Sequence, residues 1–394
     1  MATSKKYILN KHISIPFAFL FVLSTTALAN SDGNGDELRE LNLFGSIAAT
    51  ITSSNTEAYS GKKGVSTSII GNLNGFYSIN DQLNISGGIH AEKKPENDSF
   101  QHLDYLSLNY VTAIKQTNIN TRVGRVKYDI GLREDRRNNP ASNKNIFLPF
   151  ATYWPAFQNY AESVDGVQVE VEQPIGDLGI LVASSTFGRG IISEDDEKSI
   201  FYGYFHAPLY GTYKLVKPVV SNTLKFKTPN FKFHYNRTEL LMNYDSSLPN
   251  PIPPNTPILP YDFQVDHMFE TYGISYHGEN GCIIGEYVEH DISTKPASYS
   301  LSVCYNITPT IRVEVGTSKF YHRSNATPPM SYVSAWTRDG HEVYVSTTCN
   351  LSANSMLKAE IHKGTGTAWF SHPSSKPEWT LFSISYVQKF EILK

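Results

Sequence analysis

From residue 41 to the end, the chain is written in a two-residue rhythm. Ile47, Ala49 and Ile51 alternate with Ser46, Ala48 and Thr50, and the same parity extends back through Leu41, Leu43 and Gly45 against Asn42. Ile69, Gly71, Leu73, Gly75 and Tyr77 oppose Ser68, Asn72, Asn74 and Ser78. After Asn80-Asp81, Leu83, Ile85, Gly87, Ile89 and Ala91 oppose Asn84, Ser86, His90 and Glu92. The pattern returns as Tyr299, Leu301, Val303 and Tyr305 against three serines and Asn306. Ile311, Val313 and Val315 then face away from Arg312, Glu314 and Gly316, and Leu357, Ala359 and Ile361 from Lys358, Glu360 and His362. Period two predicts strands with one apolar and one polar face.

Such a face pair serves a soluble sandwich and a membrane barrel equally, because each has one dry and one wet side. Connection lengths separate them. Tight links at 80–81, 113–116, 176–177, 228–230, 278–281, 308–309 and 353–354 fall between long ones. The long links run at 55–63, 94–101, 128–163, 189–217, 246–266, 293–296, 322–338 and 365–376. Strict short–long alternation predicts a closed antiparallel transmembrane β-barrel with short periplasmic turns on one rim and long extracellular loops on the other. The count is about sixteen strands. The Tyr-rich 201–205 leaves fourteen or eighteen open. Thr380, Phe382, Ile384, Tyr386, Gln388 and Phe390 share one face of a last strand that runs on into Glu391-Ile392-Leu393-Lys394.

Ahead of the barrel, residues 1–29 predict a cleavable signal peptide. Lys5, Lys6 and Lys11 form a basic start, 13–23 an apolar run too short and interrupted for a spanning helix, and Ala27-Leu28-Ala29 a cleavage site. Losing three lysines and no acids moves the formal charge from -3 to -6. That mild acidity gives nucleic acid no footing as a partner. Aromatic residues make up 12% of the chain, with tyrosine the commonest, which suits a membrane interface as partner surface.

Residues 116–174 form the most informative stretch. Two strands flank a long loop holding Asp129, Arg133, Glu134, Asp135, Arg136 and Arg137, then Leu148-Pro149-Phe150 and Tyr153-Trp154-Pro155. A connection of this length is usually functional or disordered, and its aromatic content argues against disorder. Arg122-Val123-Gly124-Arg125-Val126-Lys127, Gly131-Leu132, Arg136-Arg137, Phe147-Leu148-Pro149, Tyr153 and Asp165-Gly166-Val167 together resemble Gram-negative outer-membrane porin-like proteins. The local match covers about fifty residues; elsewhere only the strand-and-turn rhythm is similar. The resemblance implies an outer-membrane location, passive diffusion of small hydrophilic solutes or ions, and a homotrimer. It also implies that this loop, the third long one, folds inward as a constriction. The set carried over is Arg122, Arg125, Lys127, Asp129, Arg133, Glu134, Asp135, Arg136 and Arg137. Charges so placed would tune ion selectivity.

Alternation adds Glu170, Glu172, Arg312 and Glu314 as lumen-facing. Catalysis finds no footing: there is no G-x-S-x-G elbow and no H-E-x-x-H helix, and no cofactor is implied. His290 with Glu286 and His362 with Glu360 read as wet lumen pairs, and the Pro-rich 248–260 as a stiff surface loop. Export places the three cysteines in an oxidising compartment. Cys282 and Cys304 come roughly opposite in an antiparallel pair, so a disulfide there is geometrically open, with Cys349 odd. The rival reading is an exported β protein that binds a ligand or surface through its loops without conducting.

Overall fold

The computed structural model describes residues 41–55, 63–93, 99–133, 139–149, 153, 163–190, 211–246, 262–291, 296–322, 340–365 and 378–393. The signal segment, the 201–205 stretch and the loop charges Glu134, Asp135, Arg136 and Arg137 lie outside them. The strands, in chain order, are β1 (Leu41–Ser54), β2 (Gly64–Ser78), β3 (Leu83–Lys93), β4 (Ser99–Ile114), β5 (Thr117–Lys127) and β6 (Ser163–Pro174). Next come β7 (Ile180–Gly190), β8 (Gly211–Leu215), β9 (Val219–Lys227), β10 (Phe231–Ser246), β11 (Asp262–His277) and β12 (Gly281–Asp291). The last are β13 (Pro296–Asn306), β14 (Ile311–His322), β15 (Gly340–Asn350), β16 (Ser355–Thr365) and β17 (Glu378–Leu393).

Each strand pairs antiparallel with its neighbours in sequence, except that β7 pairs with β9 and passes over β8, and β17 returns to β1 through Ile51↔Ile384 and Ala49↔Tyr386. With β1 paired on both sides, the described strands join into a cylinder rather than an open sheet. β8 and β9 both lie on β10, with Leu215 opposite Met242 and Val220 opposite Glu239. Four residues, 216–219, therefore face two. Pro218, which has no N–H to give the ladder, sits in that interruption. Together the two pieces make one wall strand, so the wall has sixteen.

The short connections share one rim and are built from side chains that imitate backbone. Asn80 Oδ1 accepts from the N–H groups of Gln82 and Leu83 at 2.9 and 2.8 Å. Thr228 Oγ1 does the same for Asn230 and Phe231, and Thr308 Oγ1 for Thr310 and Ile311. The strand ends that the long connections join share the opposite rim.

The wall is inside-out relative to a soluble domain. On β1 Ile51 is 57% exposed and Thr50 3%. Val303, Val315, Val345 and Ile361 are exposed on their strands, while Ser302, Glu314, Ser346 and Glu360 are buried. An apolar outer band over a polar interior is the arrangement that puts lipid outside. One departure from the simple alternation comes at the start of β1. The β1–β17 register shifts between Leu43 and Phe44, so Leu43 is buried and Phe44 exposed. The unmatched residue there is Ile392 on β17, and Leu43 stands against the outward parity that the sequence assigns to it.

Candidate functional site

β5 ends at Lys127, and the chain turns into the barrel instead of away from it. Tyr128, Ile130, Leu132 and Arg133 are all buried. Asp129 meets the Lys225 ammonium on β9. Leu132 then donates its N–H to Glu286 Oε1 on β12 at 2.7 Å, and Tyr153 donates its hydroxyl to the same oxygen at 2.5 Å. Arg133 N–H donates to that hydroxyl oxygen at 2.7 Å. This crowding requires glycine: a Cβ on Gly131 would stand 2.7 Å from Tyr153 Oη and 2.9 Å from Glu286 Oε1. Gly273 on β11 serves the same approach from the wall, since a Cβ there would meet Leu132 Cγ at 2.6 Å.

The Arg133 guanidinium reaches further round. Its Nη2 donates to Ser302 Oγ on β13 at 2.7 Å and to Glu314 Oε1 on β14 at 3.0 Å, with Glu286 4.0 Å away. Glu314 Oε1 also accepts from Asn145 Nδ2 and Tyr344 Oη, both at 3.1 Å, and its Oε2 faces Arg312 at 3.1 Å.

A second group of contacts holds 139–149. Lys358 Nζ on β16 donates to the carbonyls of Pro140 and Asn143, both at 2.6 Å. Two residues along, Glu360 accepts the N–H groups of Ile146 and Phe147 at 2.5 and 3.2 Å. His362 stands between Glu360 at 3.0 Å and Glu342 at 3.2 Å, with the Phe147 ring edge-on to its imidazole. Thr348 Oγ1 on β15 donates to the Lys144 carbonyl at 2.5 Å. Ala141 rests on an inward apolar patch of Ala48, Met356 and Val387. The loop that leaves β5 is thereby fixed to β9, β11–β17 and β1.

Charge at these contacts is tightly matched. Burial alone would raise the Asp129 carboxyl, but the Lys225 ammonium against it holds it below its ordinary value. Burial pulls the Arg133 guanidinium the other way, and the carboxylates of Glu314 and Glu286 overcome this and raise it further, so it is charged at every working pH.

Of the nine residues expected at a constriction, Glu134, Asp135, Arg136 and Arg137 lie outside the described residues, and the other five do not converge on one point. Arg122 faces inward, its Nη1 2.7 Å from Gln168 Oε1 and its Nη2 3.3 Å from Glu170 Oε1. Arg125 does not face the lumen. It shares the outer face with Val123 and makes a two-pronged pair with Asp165 at 2.9 and 3.3 Å, among the exposed Leu103, Leu106 and Val167. The reason is parity: positions 122 and 125 are an odd number apart on one strand. Lys127 is paired with Asp104 at 2.5 Å. Asp129 and Arg133 are inside but spent on wall partners. Glu134, Asp135, Arg136 and Arg137 carry formal charges that cancel. Glu170, Glu172, Arg312 and Glu314 have the parity of the inner face, and Glu172 lies 3.9 Å from Lys227. Cys282 and Cys304 stand directly opposite with Cα atoms 4.9 Å apart and are joined; Cys349 is free. Sequence reading missed the anchors Lys225, Glu286, Lys358 and Glu360 as loop partners. Glu286 and Glu360 do carry a signal, each being an acid on the inner face of an alternating strand.

A closed sixteen-strand antiparallel barrel, apolar without and polar within, with a long connection held against its inner wall, is the architecture of the outer-membrane porins. No protein-family model and no curated protein sequence matches the chain. Solved structures do match in fold. OmpF of Salmonella typhi, in a complex with daunomycin, aligns with a TM-score of 0.58 at 11% identity over 89% of this chain and 98% of that one. An anion-selective porin from Comamonas acidovorans gives 0.56 at 11% identity, over 89% and 99%. In-vitro folded OmpT of Vibrio cholerae, in a trimer form, gives 0.55 at 13% identity, over 90% and 100%. At such identities the likeness is one of fold.

Proposed function

We propose that this chain is a porin: a passive diffusion channel for small hydrophilic solutes or ions in the outer membrane of a Gram-negative bacterium. The observation that carries the reading is the placement of residues 128–133 and 139–149. A loop that served only to bind at the cell surface would have no need of a wall lysine on its carbonyls and a wall glutamate on its amides, deep inside a closed barrel. Those contacts suit a partition that narrows the lumen to a fixed aperture. Solute moves down its gradient; the protein supplies a wet path, a size limit and a field. The constriction role falls to the loop that begins at Tyr128, with Arg122, Glu170 and Glu172 on the wall beside it. The signal peptide expected at 1–29 fits delivery through the periplasm, and assembly as a homotrimer is part of the same reading.

The test is electrical. Full-length protein extracted in detergent and added to a planar lipid bilayer should produce stepwise, ohmic conductance. A folded barrel that inserts and passes no current would overturn the channel reading and favour a non-conducting surface binder.

A further inference from the structure

The inner wall is not evenly used. Around β9–β16 the inward polar groups are sealed: Asn236, Thr271, Ser298, Ser318 and Glu342 are buried. Along β2–β6 the face is mixed: Asn72, His90, Ser107, Asn109 and Gln168 are buried, while Asn74, Asn84, Ser86, Asn120, Arg122 and Glu170 stay partly open. Among the described residues, the loop contacts given above go to β9, β11–β17 and β1, which leaves the inward face of β2–β6 as the less covered side. That side is lined mainly by amides and hydroxyls, which both donate and accept hydrogen bonds. Asn109 Nδ2 donates to Asn84 Oδ1 at 2.6 Å and Ser86 Oγ at 2.9 Å, and Tyr105 Oη to Asn74 Oδ1 at 3.2 Å. The open charges on β5 and β6 are matched. Arg122 and Glu170, 34% and 18% exposed, lie 3.3 Å apart, and Glu172 has Lys227 nearby.

Resting on the channel reading, and deepening it, we infer that solute passes along β2–β6 over a charge-balanced amide surface suited to uncharged polyhydroxylated solutes, with Arg122 and Glu170 cancelling one another to keep ion selectivity weak. An unmatched charge in a narrow path filters ions by sign. A matched pair presents only a dipole, which fades within the screening length of about 8 Å. Amide groups meanwhile exchange hydrogen bonds with solute hydroxyls at little cost, since each can act in either sense.

The test uses the full-length protein and reads two quantities. In a planar bilayer with a KCl gradient, the wild type should show a potassium-to-chloride permeability ratio within about twofold of one. Glu170→Gln leaves Arg122 unmatched and should move the ratio at least about threefold toward chloride; Arg122→Gln should move it by a similar factor toward potassium. The double variant should return to the wild-type value. In liposome swelling, a neutral sugar alcohol should enter faster than a sugar acid or an amino sugar of equal size. Folding of each variant is read from heat-modifiable gel migration. If a single variant does not fold, the swapped pair Arg122→Glu with Glu170→Arg takes its place and should leave the ratio near one. A strongly selective wild type, two single variants moving in the same direction, or charged solutes entering as fast as neutral ones would each overturn the inference while leaving the channel standing. Absence of any conductance would instead remove the channel itself.

Discussion

Replacing Arg133 with methionine removes a positive charge from between two wall carboxylates. The side chain is 10% exposed and that of Glu314 2%, so solvent screens this pair little. At 3.0 Å from Glu314, with an effective dielectric near 20, the attraction is about 5 kcal/mol, and at 4.0 Å from Glu286 about 4 kcal/mol. Desolvation cancels much of this, and the measured cost of breaking such a buried pair by losing one partner is about 3–5 kcal/mol. That figure applies only if the loop base stays in place over an unneutralised Glu286 and a Glu314 held by Arg312 alone. Releasing 128–133 lets water reach Glu286 and Glu314 and limits the loss to the docking contacts of the base.

The expected outcome is therefore local. The barrel should keep its heat-modifiable migration. Single-channel conductance should rise and become noisier, and the permeability ratio should move toward potassium because Glu286 is newly exposed without its counter-charge. Neutralising Glu286 as well, in Arg133→Met, Glu286→Gln, leaves Glu314 matched by Arg312 and should quiet the noise and restore the ratio. Unfolding within about 0.5 kcal/mol of wild type, the range of an inert surface change, together with unaltered conductance and noise, would refute the placement of this loop.

The Asp129–Lys225 contact makes the loop base acid-sensitive in a defined sense. A carboxyl held below its ordinary value stabilises the folded loop above the unfolded Asp pKa of about 3.9 and loses that contribution as pH falls through the lower folded value. Conductance noise should thus appear only on strong acidification, and Asp129→Asn should abolish that dependence. Non-reduced peptide mass spectrometry should recover Cys282 joined to Cys304 and Cys349 as a free thiol; three free thiols after periplasmic export would refute the bridge. Val345→Arg, on the outer face opposite Val315 and Ile361, should cost about 2–4 kcal/mol of folding in vesicles if that face meets the bilayer core. A protease-cleavable tag within 247–261 should be reached on intact cells and one at 278–280 should not, since the two belong to opposite rims.

Much of the fold was legible because a strand writes its two faces into alternate residues, and a one-residue error would turn every apolar side chain inward. Leu357, Ala359 and Ile361 against Lys358, Glu360 and His362 needed no partner information to be sorted. The failures come where the period is broken by geometry rather than by composition. The shift at Leu43 and Phe44 depends on how β1 meets β17, more than 300 residues away in sequence. Pro218 announces an interruption, but not that the pieces on either side share one partner in β10.

The site was legible as a charged loop of unusual length and illegible as a set of partners. Glu286 lies 154 residues from Leu132, Glu314 181 from Arg133, and Glu360 214 from Ile146, and no local pattern encodes such meetings. A charge without its partner says little about selectivity, because Arg133 inside a barrel can be either a filter or a rivet. The wall contacts make it a rivet. Arg122 and Arg125 teach the converse. Their alternation already put Arg122 with Asn120 and against Val123, so an odd separation consigned Arg125 to the outer face beside Asp165. Counting basic residues near a loop overrides that parity; following it leaves Arg122, matched by Glu170 across one strand register, as the arginine of that strand still open to the lumen.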